Sequence, residues 1–245
     1  MNYLRVISIM AIVALTPPLS HATTISCGPN ICYQYDETQT AALYFGLPTR
    51  LGDSMRFIPS NFRAESLNGS GLVSVSQTWV FDRVYSVTGA EIGSVLVSEA
   101  GDYGISGDSS GTPDSVGVEL VTTVANNASA EVASDTKNFS ASGNTANPQQ
   151  FWSLISTSIN PASVFTMVAS DVAVSVKNSL TATTDEVGGN AWIQKKFILH
   201  VGTVIPVPAA VWLFGSAFGV LFVLRRRAVS SSTPDAAPYR PDGPL

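Results

Sequence analysis

The stretch that decides the fold is residues 163–184, "SVFTMVASDVAVSVKNSLTATT". From position 172 to position 176 every second residue is valine, and the residues between them and just after are Ala, Ser and Lys. A period of two places the valines on one face of a strand and the intervening residues on the other. The stretch therefore predicts a strand of an antiparallel sheet that has one buried face and one wet face.

Four further segments share this alternation and are rich in β-branched and aromatic residues. They are residues 71–87, 91–99, 115–126 and 191–204. Clusters of Gly, Ser, Asn, Asp and Pro separate them, as expected for turns. The pattern predicts an all-β fold, an antiparallel β-sandwich of plain or jelly-roll type. A single short helix is expected at residues 147–159, where Asn147 could cap and Pro148 would lie in the first turn.

Charge excludes one class of partner. Only 13% of the 245 residues are charged, about half the usual share. Residues 23–208 hold sixteen Asp and Glu and eight scattered Lys and Arg, a net charge near -8. A nucleic-acid partner is therefore not expected, because phosphate binding needs a clustered basic surface.

The amino end has the features of a secretory signal peptide. One basic residue, Arg5, precedes an apolar run at residues 6–15, and two prolines follow. Ser20 and Ala22 then provide small residues two positions apart, the pattern that signal peptidase accepts. The sequence predicts cleavage after Ala22 and export of the rest of the chain.

The chain has two cysteines, Cys27 and Cys32, in the segment "CGPNIC". In an exported protein this spacing predicts a small-loop disulfide around a Gly-Pro-Asn turn. A metal site would need more ligands than two thiols. A redox-active pair normally has two intervening residues, whereas four lie between these cysteines.

The body offers few residues for catalysis. After the signal peptide the only histidine is His200, in a predicted strand, so we expect no histidine-based triad and no His-based metal site. A pair of carboxylates could still serve a hydrolase. The loop with Asp102, Asp108 and Asp114 is a weak calcium candidate because its acids are six positions apart. We therefore expect neither a cofactor nor a metal.

Because β-sandwiches often bind sugars through exposed aromatic side chains, carbohydrate binding is an alternative role for the body. Each of them could equally pack in the core, an interpretation favoured for Trp79, where the neighbouring residues alternate. The candidates are Trp79, Tyr85, Tyr103, Trp152 and Trp192.

The carboxyl end contains an uncharged and mostly apolar run at residues 209–224, followed by three arginines. Its helical length is about 24 Å, which together with residues 204–208 makes a marginal transmembrane helix. The positive-inside rule places the arginines in the cytoplasm and the body outside. Prolines on the body side leave an extended junction, a feature that a plain anchor does not need.

This tail resembles the PEP-CTERM sorting signals of Gram-negative bacteria, in the variant written VPLPA-CTERM. The matching residues are Pro206, Val207, Pro208, Ala209, Trp212, Leu213, Phe214, Gly215, Ser216, Arg225, Arg226 and Arg227. The resemblance implies recognition by an exosortase, a membrane-embedded protease or transpeptidase, and an association with exopolysaccharide, biofilm or floc. It is confined to this tail and the signal peptide, and the extension after the arginines departs from it.

We therefore expect four parts: a signal peptide at 1–22, a β-sandwich body at 23–203, a sorting signal at 204–227 and a disordered cytoplasmic tail at 228–245. The expected function is that of an exported cell-surface or extracellular-matrix protein with a structural or binding role and no catalysis. Its expected partners are signal peptidase, an exosortase and exopolysaccharide. A carbohydrate-binding module is the alternative, and a secreted carboxylate-pair hydrolase is the least favoured interpretation.

Overall fold

A computed structural model describes residues 23–107, 113–145, 149–155 and 159–204, without the side chains of residues 155, 197–200 and 204. These residues form twelve strands and two one-turn helices. The strands are β1 (Thr23–Cys27), β2 (Ile31–Asp36), β3 (Thr49–Leu51), β4 (Ser54–Phe57), β5 (Arg63–Leu67), β6 (Gly71–Ser86), β7 (Ser94–Ser106), β8 (Ser115–Asn126), β9 (Val132–Ser142), β10 (Gln150–Ile155), β11 (Asp171–Thr184) and β12 (Asn190–Val204). The helices are α1 (Ala42–Phe45) and α2 (Pro161–Val164).

The first sheet has six antiparallel strands in the order β1-β2-β6-β11-β8-β9. The stretch that decided the fold supplies its central strand, β11, in which Lys177 is opposite Thr78 of β6 and Val121 of β8. Burial alternates strictly along β8 and β11. The predicted period of two is therefore confirmed where it was clearest.

The second sheet follows the order β10-β7-β12-β4-β3, and β5 also pairs with β12. One edge of β12 pairs with β7 along most of its length. The other edge is shared, because residues 190–194 pair with β5 and residues 199–202 pair with β4. This arrangement brings β5, β12, β7 and β10 side by side, and the candidate site lies across these four strands.

The core between the sheets is built on aromatic rings. Trp79 is fully buried, and its ring centroid lies 4.9 Å from that of Phe57 and 6.4 Å from that of Phe45. Edge-to-face pairs of this kind are stabilising beyond the apolar area that they bury. Valines of β8 and β11 and apolar residues of β7 and β12 pack around these rings. The all-β class is confirmed, and the two antiparallel sheets are consistent with the predicted β-sandwich.

One local prediction was wrong. Residues 150–155, expected to lie in a short helix, form the strand β10, which pairs with β7. Phe151 is opposite Asp102, and Trp152 is opposite Gly101. Pairing with a strand some fifty residues away supplies tertiary contacts that an isolated helix at residues 147–159 would lack, and a helix of that length is marginal without such contacts.

The expected disulfide is present: the sulfur atoms of Cys27 and Cys32 lie 2.00 Å apart. The two cysteines are opposite each other at the end of the β1–β2 hairpin. No helix in the described part of the chain is long and apolar enough to cross a membrane. The predicted signal peptide with its cleavage site at Ala22, the sorting signal with its helix at 209–224 and the tail at 228–245 lie outside the described residues.

Candidate binding face of the second sheet

The structure divides the five candidate aromatics into two groups. Trp79 and Trp152 are buried, and Tyr103 packs beside the core with its ring centroid 5.4 Å from that of Phe139. Tyr85 and Trp192 remain partly exposed. An arginine guanidinium lies over each of these two rings, at 4.7 Å for Arg83 over Tyr85 and 4.8 Å for Arg63 over Trp192. Trp192 belongs to a polar and aromatic surface that extends across four strands.

That surface is a row of side chains across four strands. The register places Phe151 of β10 opposite Asp102 of β7, Asp102 opposite Gln194 of β12, and Gln194 opposite Arg63 of β5. These positions lie on the side of the sheet away from the core. Phe151 is 71% exposed, Arg63 is exposed and Gln194 is partly exposed, whereas Asp102 is buried in contact with Gln149 and Lys196. At the usual strand spacing the row extends about 14 Å. We call this row, together with Trp192 and Glu65 beside it, the binding face.

Arg63 is the fixed cation at one end of the binding face. Its Nη2 donates to Oε1 of Glu65 at 2.8 Å, and its Nη1 donates to Oε1 of Gln194 at 3.4 Å. The guanidinium of Arg63 lies over the ring of Trp192. Trp192 is opposite Gly104 of β7, which has no side chain that could displace the indole. These contacts hold the guanidinium over the ring, although an exposed ion pair of this type stabilises the fold only slightly.

Asp102 is the anion at the centre of the binding face. It is fully buried, and its Oδ2 accepts hydrogen bonds from the side-chain amide of Gln149 and, at 3.2 Å, from Nζ of Lys196. Its Oδ1 is also buried and has no hydrogen-bond partner among the described residues. Lys196 is half exposed, so its ammonium reaches the surface while it neutralises Asp102. The face thus combines two cations with two carboxylates and carries little net charge.

The three aspartates of the calcium candidate do not form a site within the described residues. Asp102 is bound to Lys196, while Asp114 accepts a hydrogen bond from the backbone N–H of Asp185 at 3.2 Å. Asp108 lies outside the described residues. No group of three His, Cys, Asp or Glu side chains is close enough to hold a metal ion in the described part of the chain.

A cleft of about 590 Å³ lies beside β6. Most of its lining residues have polar side chains, and one of them, Gln39, is already engaged: its Oε1 accepts from the N–H of Val80 at 2.9 Å and its Nε2 donates to the carbonyl of Val80 at 3.3 Å. None of the described residues that line it has an aromatic ring on which a ligand could stack. The lining residues are Asp36, Gln39, Thr40, Ala41, Ser76, Gln77, Thr78, Val80 and Asp82.

Sequence reasoning had found only Trp192 of the residues on this face as a binding candidate, and Asp102 was noted for calcium alone. Phe151 was assigned to the expected helix, and Arg63 belonged to no segment that had been identified. The two-residue alternation within each strand could have indicated part of the row, because residues 192, 194 and 102 all lie on the positions of their strands that face away from the core. His200 lies in β12, as predicted, opposite Arg56 of β4.

No family model matches the chain, and no curated protein matches its sequence. Among solved structures, one that it resembles is the enzymatically active domain of tailspike protein 4 of bacteriophage CBA120. The sequence identity is 11% and the TM-score is 0.27, and the match covers 74% of this chain but only 19% of that one. A match at this TM-score supports no conclusion about the present chain.

Proposed function

We propose that this chain is an exported cell-surface or extracellular-matrix protein whose β-sandwich binds polysaccharide without cleaving it. The observation that carries the proposal is the binding face, where an exposed ring, Phe151, and a partly exposed indole, Trp192, lie beside a row of fixed polar groups on one side of the sheet. Sugars combine apolar C–H faces with hydroxyl groups that need both donors and acceptors. The binding face offers both kinds of contact along one line.

Each part of the face has a separate role in this proposal. The exposed ring of Phe151 provides apolar surface against which a sugar ring can pack. Gln194 provides both a carbonyl oxygen and an amide, while Arg63 and Lys196 provide charged donors. Because Arg63 and Lys196 are already held by carboxylates, few side chains must be ordered on binding, which reduces the entropic cost.

The absence of catalysis is part of the proposal. Cleavage of a glycosidic bond by a carboxylate pair needs one acid that can donate a proton and a second that acts as base or nucleophile. Glu65 is paired with Arg63, and Asp102 is paired with Lys196. Both carboxylates of the face are therefore already engaged by a cation.

Export and sorting rest on the two ends of the chain. We propose that signal peptidase cleaves after Ala22 and that an exosortase recognises the proline motif at residues 206–209, the apolar helix and the arginines 225–227. The body would then face outward, where it meets exopolysaccharide. Mass spectrometry of the mature ends, in cells with and without the exosortase, tests this step.

The binding proposal is tested with the full chain on a glycan array and by affinity electrophoresis in isolated exopolysaccharide. Phe151→Ala and Gln194→Ala should each weaken binding about tenfold, as truncation of a central contact does. Tyr85→Ala is the matched control, because it removes a partly exposed ring under an arginine on the other sheet. Equal loss for Tyr85→Ala, or release of sugar from a bound glycan, would contradict the proposal.

A further inference from the structure

A lysine and a glutamate meet in the interior of the molecule. Lys195 of β12 and Glu99 of β7 both have fully buried side chains, and Nζ of Lys195 is in direct contact with Oε2 of Glu99. They project inward from neighbouring strands, near a register shift after Lys195. The binding face, on the opposite side of the same sheet, uses neither residue.

The surroundings of this pair are apolar and buried. Nζ of Lys195 lies 5.5 Å from the ring centroids of both Phe45 and Phe62, which are themselves buried. Oε1 of Glu99 has no hydrogen-bond partner among the described residues. The backbone N–H of Lys195 donates to the carbonyl of Phe62 at 2.9 Å, and this hydrogen bond holds the backbone from which the lysine side chain extends.

Such a site disfavours the charged form of the lysine amine. Burial lowers the pKa of Lys195, even though the nearby carboxylate of Glu99 opposes that shift. A buried ion pair is costly unless all its hydrogen bonds are made, and Oε1 of Glu99 makes none. A desolvated lysine amine in an apolar pocket is also an activated nucleophile.

We propose that Lys195 and Glu99 form an intramolecular isopeptide bond between β12 and β7. A proton passes from the ammonium to the carboxylate, which gives a neutral amine and a neutral acid. The lone pair of Nζ attacks Cδ of Glu99, a bond forms between Nζ and Cδ, and the hydroxyl of the acid leaves with a proton from Nζ as one water molecule. No oxidant, reductant or second substrate is required.

Two physical effects drive the reaction. The amide replaces two buried charges with one neutral group, so the desolvation cost of the pair is removed. The contact between Nζ and Oε2, held by the pairing of β7 and β12, makes the step unimolecular with a high effective concentration. Lys177 and Glu119 provide a contrast, since they lie 4.0 Å apart on the surface where water stabilises both charges.

The experiment is tryptic digestion and tandem mass spectrometry of the folded full chain. The bond predicts one branched peptide that joins residues 84–137 to residues 178–196, lighter than the sum of its parts by one water molecule, with fragments that place the link between Glu99 and Lys195. Trypsin should still cleave after Lys177, whose amine stays free. Unlinked peptides of unmodified mass from the folded protein would overturn the proposal.

Two variants complete the test. Lys195→Met removes the nucleophile and should abolish the branched peptide, and Lys177→Met is the matched control that should leave the Glu99–Lys195 link intact while cleavage after position 177 is lost. If Lys195→Met does not fold, Lys195→Met combined with Glu99→Leu leaves no unpaired buried charge and gives the same readout. A branched peptide that persists in either Lys195 variant would assign the link to other residues and refute this pair.

Discussion

Gly101 lies where β7 comes closest to its neighbours. A Cβ atom at this position would lie 2.0 Å from the carbonyl oxygen of Gln194 and 2.6 Å from the indole of Trp152. The backbone of Gly101 is not in the left-handed region, so alanine would meet no conformational penalty there. The whole cost of Gly101→Ala is therefore steric.

The loss of unfolding free energy depends on which atoms the added Cβ would displace. The carbonyl of Gln194 belongs to β12, so it can move away from the added Cβ only if β12 separates from β7 at this point. Overpacking typically costs about 1–3 kcal/mol. The indole N–H of Trp152 also donates to this carbonyl at 3.3 Å, and the loss of that hydrogen bond adds about 1 kcal/mol. We expect Gly101→Ala to lower the free energy of unfolding by about 3 kcal/mol, which shifts Tm by about 6–12 °C in a domain of this size.

Urea unfolding followed by tryptophan fluorescence measures the effect, with calorimetry for Tm. Gly143→Ala is the control, because Gly143 has a φ of 78° and no atom within 4 Å of an added Cβ. Its cost is conformational alone, about 1 kcal/mol. If Gly101→Ala were no more destabilising than Gly143→Ala, the close approach of β7 and β12 at Gln194 would be refuted.

Three other predictions follow from the described contacts. Replacing Cys27 and Cys32 by serine should lower the free energy of unfolding by about 2 kcal/mol, since the closed loop is short; an unchanged urea midpoint would contradict this. The pKa of Glu131 is lowered to about 2, chiefly because the backbone N–H of Thr166 donates a hydrogen bond to its carboxylate, so the stabilisation from this group is complete above about pH 4.5 and is lost as pH falls through about 2. Glu131→Gln should therefore make the free energy of unfolding less dependent on pH over that range. An acid titration of Tm that is the same for the variant and the wild type would contradict this. Neither polar side-chain atom of the buried Asn178 has a hydrogen-bond partner among the described residues. Asn178→Leu should therefore raise the free energy of unfolding by about 1–3 kcal/mol, measured by urea unfolding. A loss of stability would show that the amide is hydrogen-bonded.

The strands were predictable because alternation along one strand is a local signal. The valines of β11 and β8 identify a buried face whatever strand lies beside them. The failure at residues 150–155 has the opposite origin. Pro148 and the spacing of the apolar residues were local helix signals, but the pairing of Phe151 with Asp102 is a tertiary contact that sequence reasoning did not foresee.

The binding face was out of reach for the same reason. Its row joins positions 63, 102, 151 and 194, so each side chain comes from a strand far along the chain from the next. Parity indicates which residues of one strand share a face, but not which strands become neighbours. Trp152 and Trp192 show the consequence: both lie on strands, yet one is buried and the other is partly exposed on the binding face.

The dipeptide Lys195-Lys196 connects the two proposals. The sequence shows only the single adjacent pair of basic residues in the body, but in β12 the first lysine points into the core toward Glu99 and the second reaches Asp102 on the binding face. A one-residue slip of β12 against β7 would exchange them, burying Lys196 and exposing Lys195. A covalent bond between Lys195 and Glu99 would prevent that slip. The same bond would therefore keep Gln194 and Lys196 on the outer face, so Lys195→Met should weaken glycan binding even though Lys195 touches no ligand.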